Sequence, residues 1–226
     1  MKLVALWNDG INPGEKFDVL VPLPELQKMV REGAIPNGRA LVPGCGRGYD
    51  VTLLASPDRV AVGLDISAKA IEAAEASYAS MPADIQPPRS SVEFKATSFF
   101  DLPEDDESKF NFIYDYTFFC ALHPSAREGW AKKMAAIVAP GGELCTIMFP
   151  LEDNVTKFCY GMNEGPPFRV TIESYTSLLE PLGFEHFRLE KLEPEMCHPG
   201  RNGVDENPRM PGAKLYTSIG RWRKKA

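Results

Sequence analysis

The chain has 226 residues, 44% of them apolar, and its 25 Lys and Arg against 31 Asp and Glu give a formal net charge of −6. This length supports one sizeable core, so we expect a single domain over 1–226, and the acidic balance argues against nucleic-acid or anionic-membrane partners, which need clustered Lys and Arg. Five scattered cysteines without a Cys-x-x-Cys pair indicate neither a disulfide framework nor a metal site, and no apolar run approaches membrane-span length, so we expect a cytoplasmic protein. Nothing in the sequence specifies the oligomeric state, and a monomer is our expectation.

Segments of strand length alternate with segments of helix length along the chain, which is typical of a mostly parallel sheet with helices on both faces. The predicted elements, in chain order, are helix 22–32, strand 40–42, helix 50–55, strand 60–64, helix 68–80, strand 92–96, strand 110–116, helix 123–138, strand 143–148 and helix 171–179. Ser67 is a suitable N-cap, and the Pro-Gly-Gly sequence at 140–142 predicts a turn. We expect an N-terminal lid and helix over 1–36 and a doubly wound core over 37–226.

The end of the chain predicts two final strands, 184–192 and 214–222, joined by a polar loop rich in Pro and Gly. Parallel neighbours normally need a helical crossover, so two strands joined by a loop indicate an antiparallel hairpin at a sheet edge. The resulting fold class is α/β and Rossmann-like: a seven-stranded, mostly parallel sheet with an antiparallel terminal hairpin, as in class I S-adenosylmethionine-dependent methyltransferases.

A glycine loop follows the first strand, with Gly44, Gly46 and Gly48 in the spacing Gly-x-Gly-x-Gly, and Asp65 ends the second strand. An acidic residue about 20 positions after a glycine loop is typical of α/β proteins that bind a nucleoside. The spacing differs from the Gly-x-Gly-x-x-Gly that clamps a pyrophosphate, so a cofactor without phosphates fits better. Glycines let the backbone lie against such a ligand, and the carboxylate accepts hydrogen bonds from both ribose hydroxyls. A purely structural turn and a helix-capping aspartate are the alternatives.

Ser98 and Phe99 follow the third strand, where an adenine lies in a doubly wound sheet. They offer a hydroxyl, backbone amides and an apolar face to the base. The alternative interpretation makes either Phe99 or Phe100 an ordinary core residue.

Several segments resemble the thiopurine S-methyltransferase superfamily, and more closely the plant and fungal thiol and halide methyltransferases within it. The most specific is Tyr-Asp-Tyr-Thr-Phe-Phe-Cys-Ala-Leu at 114–122. The others are 41–51, 62–67, 140–144, 149–150, 165–168, 181–184 and 220–222. The resemblance implies S-adenosyl-L-methionine as cofactor and S-adenosyl-L-homocysteine as product.

The resemblance also implies roles for individual residues. Trp7 matches an N-terminal tryptophan that covers the cofactor, and Phe17 is similar to a second lid aromatic, which we expect to bind substrate. Gly44 and Asp65 match the loop and ribose contacts, with Gly46 in the same loop. The remaining matches are Ser98 and Phe99 for the adenine and Tyr116 for the methionine moiety. Leu3 departs from the family, which usually has a second tryptophan there. We therefore expect a lid that is shorter or less aromatic than usual, or a true start of the chain upstream of Met1.

Methyl transfer from a sulfonium is an in-line displacement that requires a positioned nucleophile and excluded water. A thiol, with a pKa of about 8.5, is already partly thiolate at neutral pH and needs only nearby donors. We expect Tyr116 and Thr117 to position the acceptor. An aromatic pocket would come from Phe119, Phe149 and Phe168, since aromatic faces also stabilise a cation. Asp115, at a buried strand end, is expected to be structural rather than a general base.

The sequence hypothesis is therefore an S-adenosylmethionine-dependent methyltransferase whose acceptor is a small soft nucleophile, a thiol first. A halide or bisulfide acceptor is the nearest alternative. A nucleotide-dependent oxidoreductase shares the glycine loop and Asp65, and a non-catalytic cofactor-binding protein is the remaining class.

Overall fold

The structure is a computed structural model that describes residues 2–151, 165–206 and 215–225. Its strands are β1 (Gly38–Pro43), β2 (Arg59–Asp65), β3 (Val92–Ala96), β4 (Phe110–Tyr116), β5 (Val138–Leu151), β6 (Phe184–Lys191) and β7 (Tyr216–Lys224). Its helices are α1 (Lys2–Asn8), α2 (Pro24–Arg31), α3 (Tyr49–Leu54), α4 (Ala68–Ala79), α5 (Arg127–Ile137) and α6 (Ile172–Leu179). No helix in these ranges is long and apolar enough to cross a membrane.

The strands belong to a seven-stranded sheet with the order β3-β2-β1-β4-β5-β7-β6. β7 runs antiparallel to both β5 and β6, whereas β1, β2 and β3 are parallel, as is the pairing of β1 with β4. This confirms the predicted mostly parallel sheet with a reversed terminal strand. The chain divides into two compact units, Met1–Ile113 and Tyr114–Ala226, called the N-terminal and C-terminal units below.

In the N-terminal unit, β1 and β2 are longer than predicted by three and two residues, whereas β3 has its predicted bounds. Ala40 pairs with Ala61, and Ala61 pairs with Val92. β1 and β2 are largely apolar and mostly buried, which suits strands covered on both faces, whereas β3 lies at the sheet edge, alternates apolar with charged residues and is less buried. Gly63 in β2 lies where a Cβ would come within 2.8 Å of Phe94 Cδ1 and of Val51 Cγ2. The close packing of β2 against its neighbours therefore depends on a residue without a side chain.

The helices of the N-terminal unit differ from prediction mainly at the start of the chain. Ser67 caps α4 as predicted, because its Oγ accepts from the Ala70 N–H at 3.4 Å. The short helix α1 was not predicted, since its seven residues carry no capping residue and too few turns for a period.

In the C-terminal unit, one local prediction is wrong. The predicted turn at 140–142 lies inside β5, which runs continuously from Val138 to Leu151. Gly141 takes a φ of +73° there, and proline is tolerated near the beginning of a strand. The predicted helix from 123 also begins later, because Pro124–Ala126 form a single 3-10 turn before α5 starts at Arg127.

The remaining elements of the C-terminal unit follow prediction closely. Thr171 and Ser174 form a reciprocal capping box at the start of α6. β6 pairs with β7 from Phe184 opposite Lys224, which confirms the antiparallel hairpin. The predicted beginning of the last strand, at Lys214, lies outside the described residues.

Candidate active site

The glycine loop connects β1 to α3, and its three glycines all adopt left-handed backbone conformations. Their φ angles are +64° at Gly44, +52° at Gly46 and +76° at Gly48, values that residues with a Cβ rarely adopt. A Cβ on Gly48 would lie 2.6 Å from Phe94 Cε1, whereas one on Gly46 would lie 3.4 Å from the Trp7 ring. Gly48 is therefore required for packing, and the backbone at Gly46 approaches the N-terminal lid.

Asp65 ends β2 and ties the glycine loop to that strand. Its Oδ2 accepts a hydrogen bond from the Gly46 N–H at 3.2 Å, and its Oδ1 accepts from the Ser67 N–H at 2.9 Å. Burial raises the pKa of this carboxyl, while the backbone donors oppose the rise. A carboxylate has about four lone-pair positions, so acceptor capacity remains for a ligand after two backbone bonds.

The N-terminal lid packs onto α4 through its aromatic residues. Trp7, Ile11 and Ala70 form a buried cluster, and Phe17 packs against it. The rings of Trp7 and Phe17 are 5.9 Å apart, centroid to centroid. The structure therefore brings Trp7 to the glycine loop and joins Phe17 to Trp7; a substrate contact for Phe17 stays a prediction.

Arg47, inside the glycine loop, is a functional candidate that the sequence analysis missed. Its Nε donates to Asp18 Oδ2 at 2.7 Å, its Nη2 donates to the Ile11 carbonyl, and its guanidinium carbon lies 5.5 Å from the centre of the Trp7 ring. One side chain thus fastens three points of the lid to the loop. The available signal was a lone cation within Gly-x-Gly-x-Gly, but its partners lie in a segment without periodicity.

Ser98 and Phe99 lie after β3, as predicted. Ser98 Oγ accepts from the Phe100 N–H at 3.2 Å and caps a 3-10 turn, and Phe99 is buried while Phe100 is exposed. Phe99 is thus the core residue of the pair. Ile66, next to Asp65, exposes 65% of its surface. It offers another apolar side chain near the end of β2, which the sequence analysis did not single out.

Asp115, in the C-terminal unit, is a buried carboxylate whose oxygens are held by the protein itself. It is fully buried, its Oδ1 accepts from the Phe119 N–H at 3.0 Å, and its Oδ2 accepts from Trp130 Nε1 at 2.8 Å. Burial raises its pKa to about 6, and these donors limit the rise. The carboxylate therefore holds the turn after β4, where Thr117 adopts a φ of +62°.

Tyr116 contacts two residues of the loop between β6 and β7. Its Oη accepts from Arg201 Nη1 at 2.6 Å, and the His198 ring stacks on its ring at 5.8 Å with an interplanar angle of 13°. The Arg201 guanidinium carbon also lies 4.7 Å from the centre of the Phe149 ring. The structure thus joins two predicted residues, Tyr116 and Phe149, through Arg201, which carries no local sequence signal.

The other predicted acceptor residues occupy different environments. Phe119 is fully buried, with ring centroids 4.5 Å from Trp130 and 4.2 Å from Tyr175, so it belongs to the core. Phe168 is 9% exposed, and its N–H donates to the Cys120 carbonyl at 2.6 Å. Acceptor contacts by Thr117, Phe119, Phe149 and Phe168 stay predictions.

Comparison with known proteins gives consistent matches. The model of the family described as thiopurine S-methyltransferase matches residues 6–207. "Probable thiol methyltransferase 2" of Arabidopsis thaliana is 38% identical over 96% of this chain and 82% of that protein. "Thiocyanate methyltransferase 1" of Brassica oleracea is 36% identical, with the same shares covered. The crystal structure of a SAM-dependent methyltransferase from Methanosarcina mazei matches with a TM-score of 0.66 at 20% identity, over 87% of this chain and 97% of that one.

The sheet order and the loop held by Asp65 are those of an S-adenosylmethionine-dependent methyltransferase, the class that the relatives share. Within that class, the chain belongs to the thiopurine S-methyltransferase family.

Proposed function

We propose that this enzyme transfers the methyl group of S-adenosyl-L-methionine to the sulfur of a small thiol and releases S-adenosyl-L-homocysteine. The observation that carries the proposal is the pairing of a glycine loop with the Asp65 carboxylate in a chain 38% identical to a probable thiol methyltransferase. When bound, the sulfonium supplies an electrophilic methyl carbon; the chain's own residues bind, orient and exclude water.

The residues of the N-terminal unit fit this cofactor chemically. Gly44 and Gly46 present backbone without a Cβ, and Asp65 offers acceptor positions for ribose hydroxyls. Ser98 and the exposed side chain of Ile66 would flank a flat, apolar base. Trp7 would cover the cofactor from the lid, with Phe99 supporting the base site from the core. Tyr116 stays our proposed contact for the methionine moiety.

The residues of the C-terminal unit would position the acceptor. Tyr116 and Thr117 carry hydroxyls that can donate to a thiolate, while Phe149 and Phe168 supply aromatic faces. Asp115 takes no part as a base in this proposal, because it is only 1% exposed and its oxygens hold the Phe119 backbone and the Trp130 indole. The reaction needs none, since a thiol can enter as its thiolate.

An anionic soft acceptor such as thiocyanate, bisulfide or a halide is the second candidate. Arg201, a buried cation beside Tyr116, favours it, and a relative at 36% identity is named a thiocyanate methyltransferase.

Calorimetry with S-adenosyl-L-homocysteine tests the first half of the proposal, with Asp65→Asn as the diagnostic variant. We expect binding by the wild type and a dissociation constant at least about tenfold higher for the variant, because hydrogen bonds to a charged acceptor are strong. Asp101→Asn, an exposed carboxylate of the same unit, is the matched control. Equal affinities for wild type and Asp65→Asn would contradict the assigned role.

Labelled cofactor and a panel of aromatic thiols, thiopurines, bisulfide, thiocyanate and iodide test the second half. Methylated sulfur or halide products support the proposal; methylation of oxygen or nitrogen acceptors alone would refute it. Reduction of a nicotinamide cofactor would favour an oxidoreductase, and cofactor binding without turnover would favour a non-catalytic protein.

We also propose that the enzyme acts as a monomer in the cytoplasm and on small molecules rather than nucleic acid. The net charge of −6 supports small molecules rather than nucleic acid as partners, and the four free cysteines among the described residues support a reducing compartment such as the cytoplasm. Light scattering at micromolar concentration tests the oligomeric state, where a dimer mass would contradict it.

A further inference from the structure

Arg201 is a buried cation whose charge has no carboxylate partner in the described part of the chain. The residue is 7% exposed, and none of the ion pairs between described residues includes it. Its described hydrogen-bond acceptor is the Tyr116 hydroxyl. Two other arginines differ: Arg47 pairs with a carboxylate, and Arg59, equally buried, donates to three backbone carbonyls. Arg201 therefore retains donors that a ligand can use.

Electrostatics indicates which ligand suits those donors. A guanidinium stays protonated in proteins, and burying it without a counter-ion is costly. The nearby rings of Tyr116 and Phe149 present apolar faces, and their centres lie 5.5 Å and 4.7 Å from the guanidinium carbon. A small, weakly hydrated anion would neutralise the charge and lose little hydration on entering.

His198 supplies a second, independent observation at the same place. It is 4% exposed, its ring stacks on Tyr116, and its Nε2 is buried without a hydrogen-bond partner in the described structure. Burial and the charge of Arg201 lower its pKa to about 4, so it is neutral at physiological pH. An orphaned polar atom of this kind indicates a missing ligand, because buried nitrogens are nearly always hydrogen-bonded.

The Arg201 backbone is fixed rather than free to move away. Its N–H donates to the His198 carbonyl at 3.0 Å, and its carbonyl accepts from Thr217 Oγ1 on β7 at 2.8 Å. The Tyr116 hydroxyl also accepts from Arg201 Nη1, so both the backbone and the guanidinium are held before any ligand arrives, which lowers the entropic cost of binding one.

We propose that the methyl acceptor binds as an anion, with Arg201 as its counter-ion and His198 Nε2 as a second hydrogen-bonding group. The class comprises small, singly charged, soft nucleophiles: thiolates, bisulfide, thiocyanate and iodide. The inference rests on the proposed function, because methyl transfer is what gives such an anion a reaction at this site.

The chemistry of the step predicts which kinetic constant Arg201 controls. The acceptor's electron pair forms the new bond to the methyl carbon, while the pair of the broken carbon–sulfur bond stays on the departing sulfur. No proton moves, and the negative charge of the acceptor disappears as the bond forms. The transition state still carries part of the acceptor's negative charge, so Arg201 stabilises it nearly as much as the bound anion and thereby lowers KM with little effect on kcat.

Arg201→Gln, compared with Arg201→Lys, tests this residue. With iodide or thiocyanate, we expect KM to rise by about 100-fold in Arg201→Gln and about tenfold in Arg201→Lys, with kcat within about threefold of wild type. A neutral dialkyl sulfide, methylated to a sulfonium, should show no rise in KM. Arg223→Gln, an exposed arginine of the same unit, removes the same charge and should change neither constant. Loss of kcat at unchanged KM, for neutral and anionic acceptors alike, would overturn the anion site and make Arg201 a positioning residue for Tyr116.

Thiocyanate binding to protein saturated with S-adenosyl-L-homocysteine tests the site without turnover. Calorimetry should detect binding by wild type and Arg223→Gln and weaker binding by Arg201→Gln; equal binding by all three overturns the inference while leaving the proposed function intact. Conversely, anion binding that depends on Arg201, together with no methylation of any sulfur or halide acceptor, refutes the proposed function and supports the site.

The wild type alone provides a further test if Arg201→Gln does not fold. Among the described residues, the titratable groups that interact with Arg201 are Tyr116, His198 and Cys120. Burial raises the pKa of Cys120 to about 12, and burial lowers the pKa of His198 to about 4. We expect kcat/KM for thiols to fall tenfold per pH unit below the pKa of each thiol, and to stay level for thiocyanate from about pH 6 to 9. A common pKa for both acceptors would indicate an enzyme base and overturn binding as the anion.

Discussion

The Asp115 carboxylate shows how a single buried charge can organise the end of a strand. Its two oxygens accept from a backbone N–H four residues later and from an indole N–H fifteen residues later. Each bond stabilises the ionised form, yet desolvation still raises its pKa to about 6. The unfolded pKa is about 3.9, so the stability that this group contributes falls as pH rises through 4 to 6.

Trp130→Phe removes the indole donor and keeps most of the packing. Without that donor the pKa of Asp115 rises further, so ionisation opposes folding more strongly above pH 6. We expect destabilisation of about 1 kcal/mol near pH 5 and about 2–3 kcal/mol near pH 8, measured by urea unfolding.

Trp222→Phe is the control, because its Nε1 donates to the uncharged Thr146 hydroxyl at 3.0 Å. The loss of stability in Trp222→Phe should therefore not depend on pH. Equal losses at the two pH values for Trp130→Phe would mean that the indole contributes packing alone.

At the scale of elements, the glycine loop and the lid act as one structure because Arg47 joins them. The guanidinium reaches Asp18, Ile11 and Trp7, which lie 29 to 40 residues earlier in the chain. Arginine suits this role because its planar group presents several donors in fixed directions. The closed position of the lid therefore depends on a side chain of the loop that it covers.

Arg47→Gln should open the lid and leave the sheet intact. We expect the dissociation constant of S-adenosyl-L-homocysteine to rise about tenfold and trypsin to cleave faster at Lys16, with the free energy of unfolding changed by less than about 1 kcal/mol. Arg47→Lys should restore little of the effect. Arg31→Gln, exposed on α2, is the control, and an unchanged cleavage rate in Arg47→Gln would show that the lid is held by its apolar contacts.

Gly63→Ala tests the close packing of β2. The added Cβ would lie 2.8 Å from Phe94 Cδ1 and Val51 Cγ2, so we expect a loss of about 2–3 kcal/mol in urea unfolding. Gly33→Ala is the comparison: its Cβ would meet open space, but its φ of +65° should cost about 1 kcal/mol. A smaller loss at Gly63 than at Gly33 would mean that β2 shifts easily.

At the scale of the whole molecule, the boundary between the two compact units falls within a strand. Ile113 ends one unit and Tyr114 begins the other, both inside β4. Domain boundaries usually fall in exposed linkers, whereas all of β4 except Asn111 is buried. The prediction of one domain therefore remains our expectation.

Native-state hydrogen exchange tests that expectation without any substitution. If the chain unfolds as one cooperative unit, the slowest amides of β2 and of β7 should exchange with the same free energy of opening and the same denaturant dependence. Free energies that differ by more than about 1 kcal/mol would instead indicate two domains.

The sequence by itself determined the sheet, its reversed last strand and the cofactor loop, because each depends on local signals. Apolar runs identify buried strands, and the lack of a crossover helix between the last two strands predicts the hairpin. The glycine loop and Asp65 are separated by about 20 residues, the length of one helix and the following strand. The turn expected at 140–142 was wrong because Gly141 takes its left-handed φ of +73° inside β5, and local sequence does not distinguish such a glycine from one in a turn.

Only the tertiary structure placed Arg201 and His198 on Tyr116 and Arg47 on Asp18. Arg201 and Tyr116 are 85 residues apart, and Arg47 and Asp18 are 29 apart. These residues lie in loops whose course follows from hydrogen bonds to β7 or from packing on α4, not from a local period. Periodicity reports which face of an element is buried, whereas polar contacts between loops arise only after the sheet has assembled.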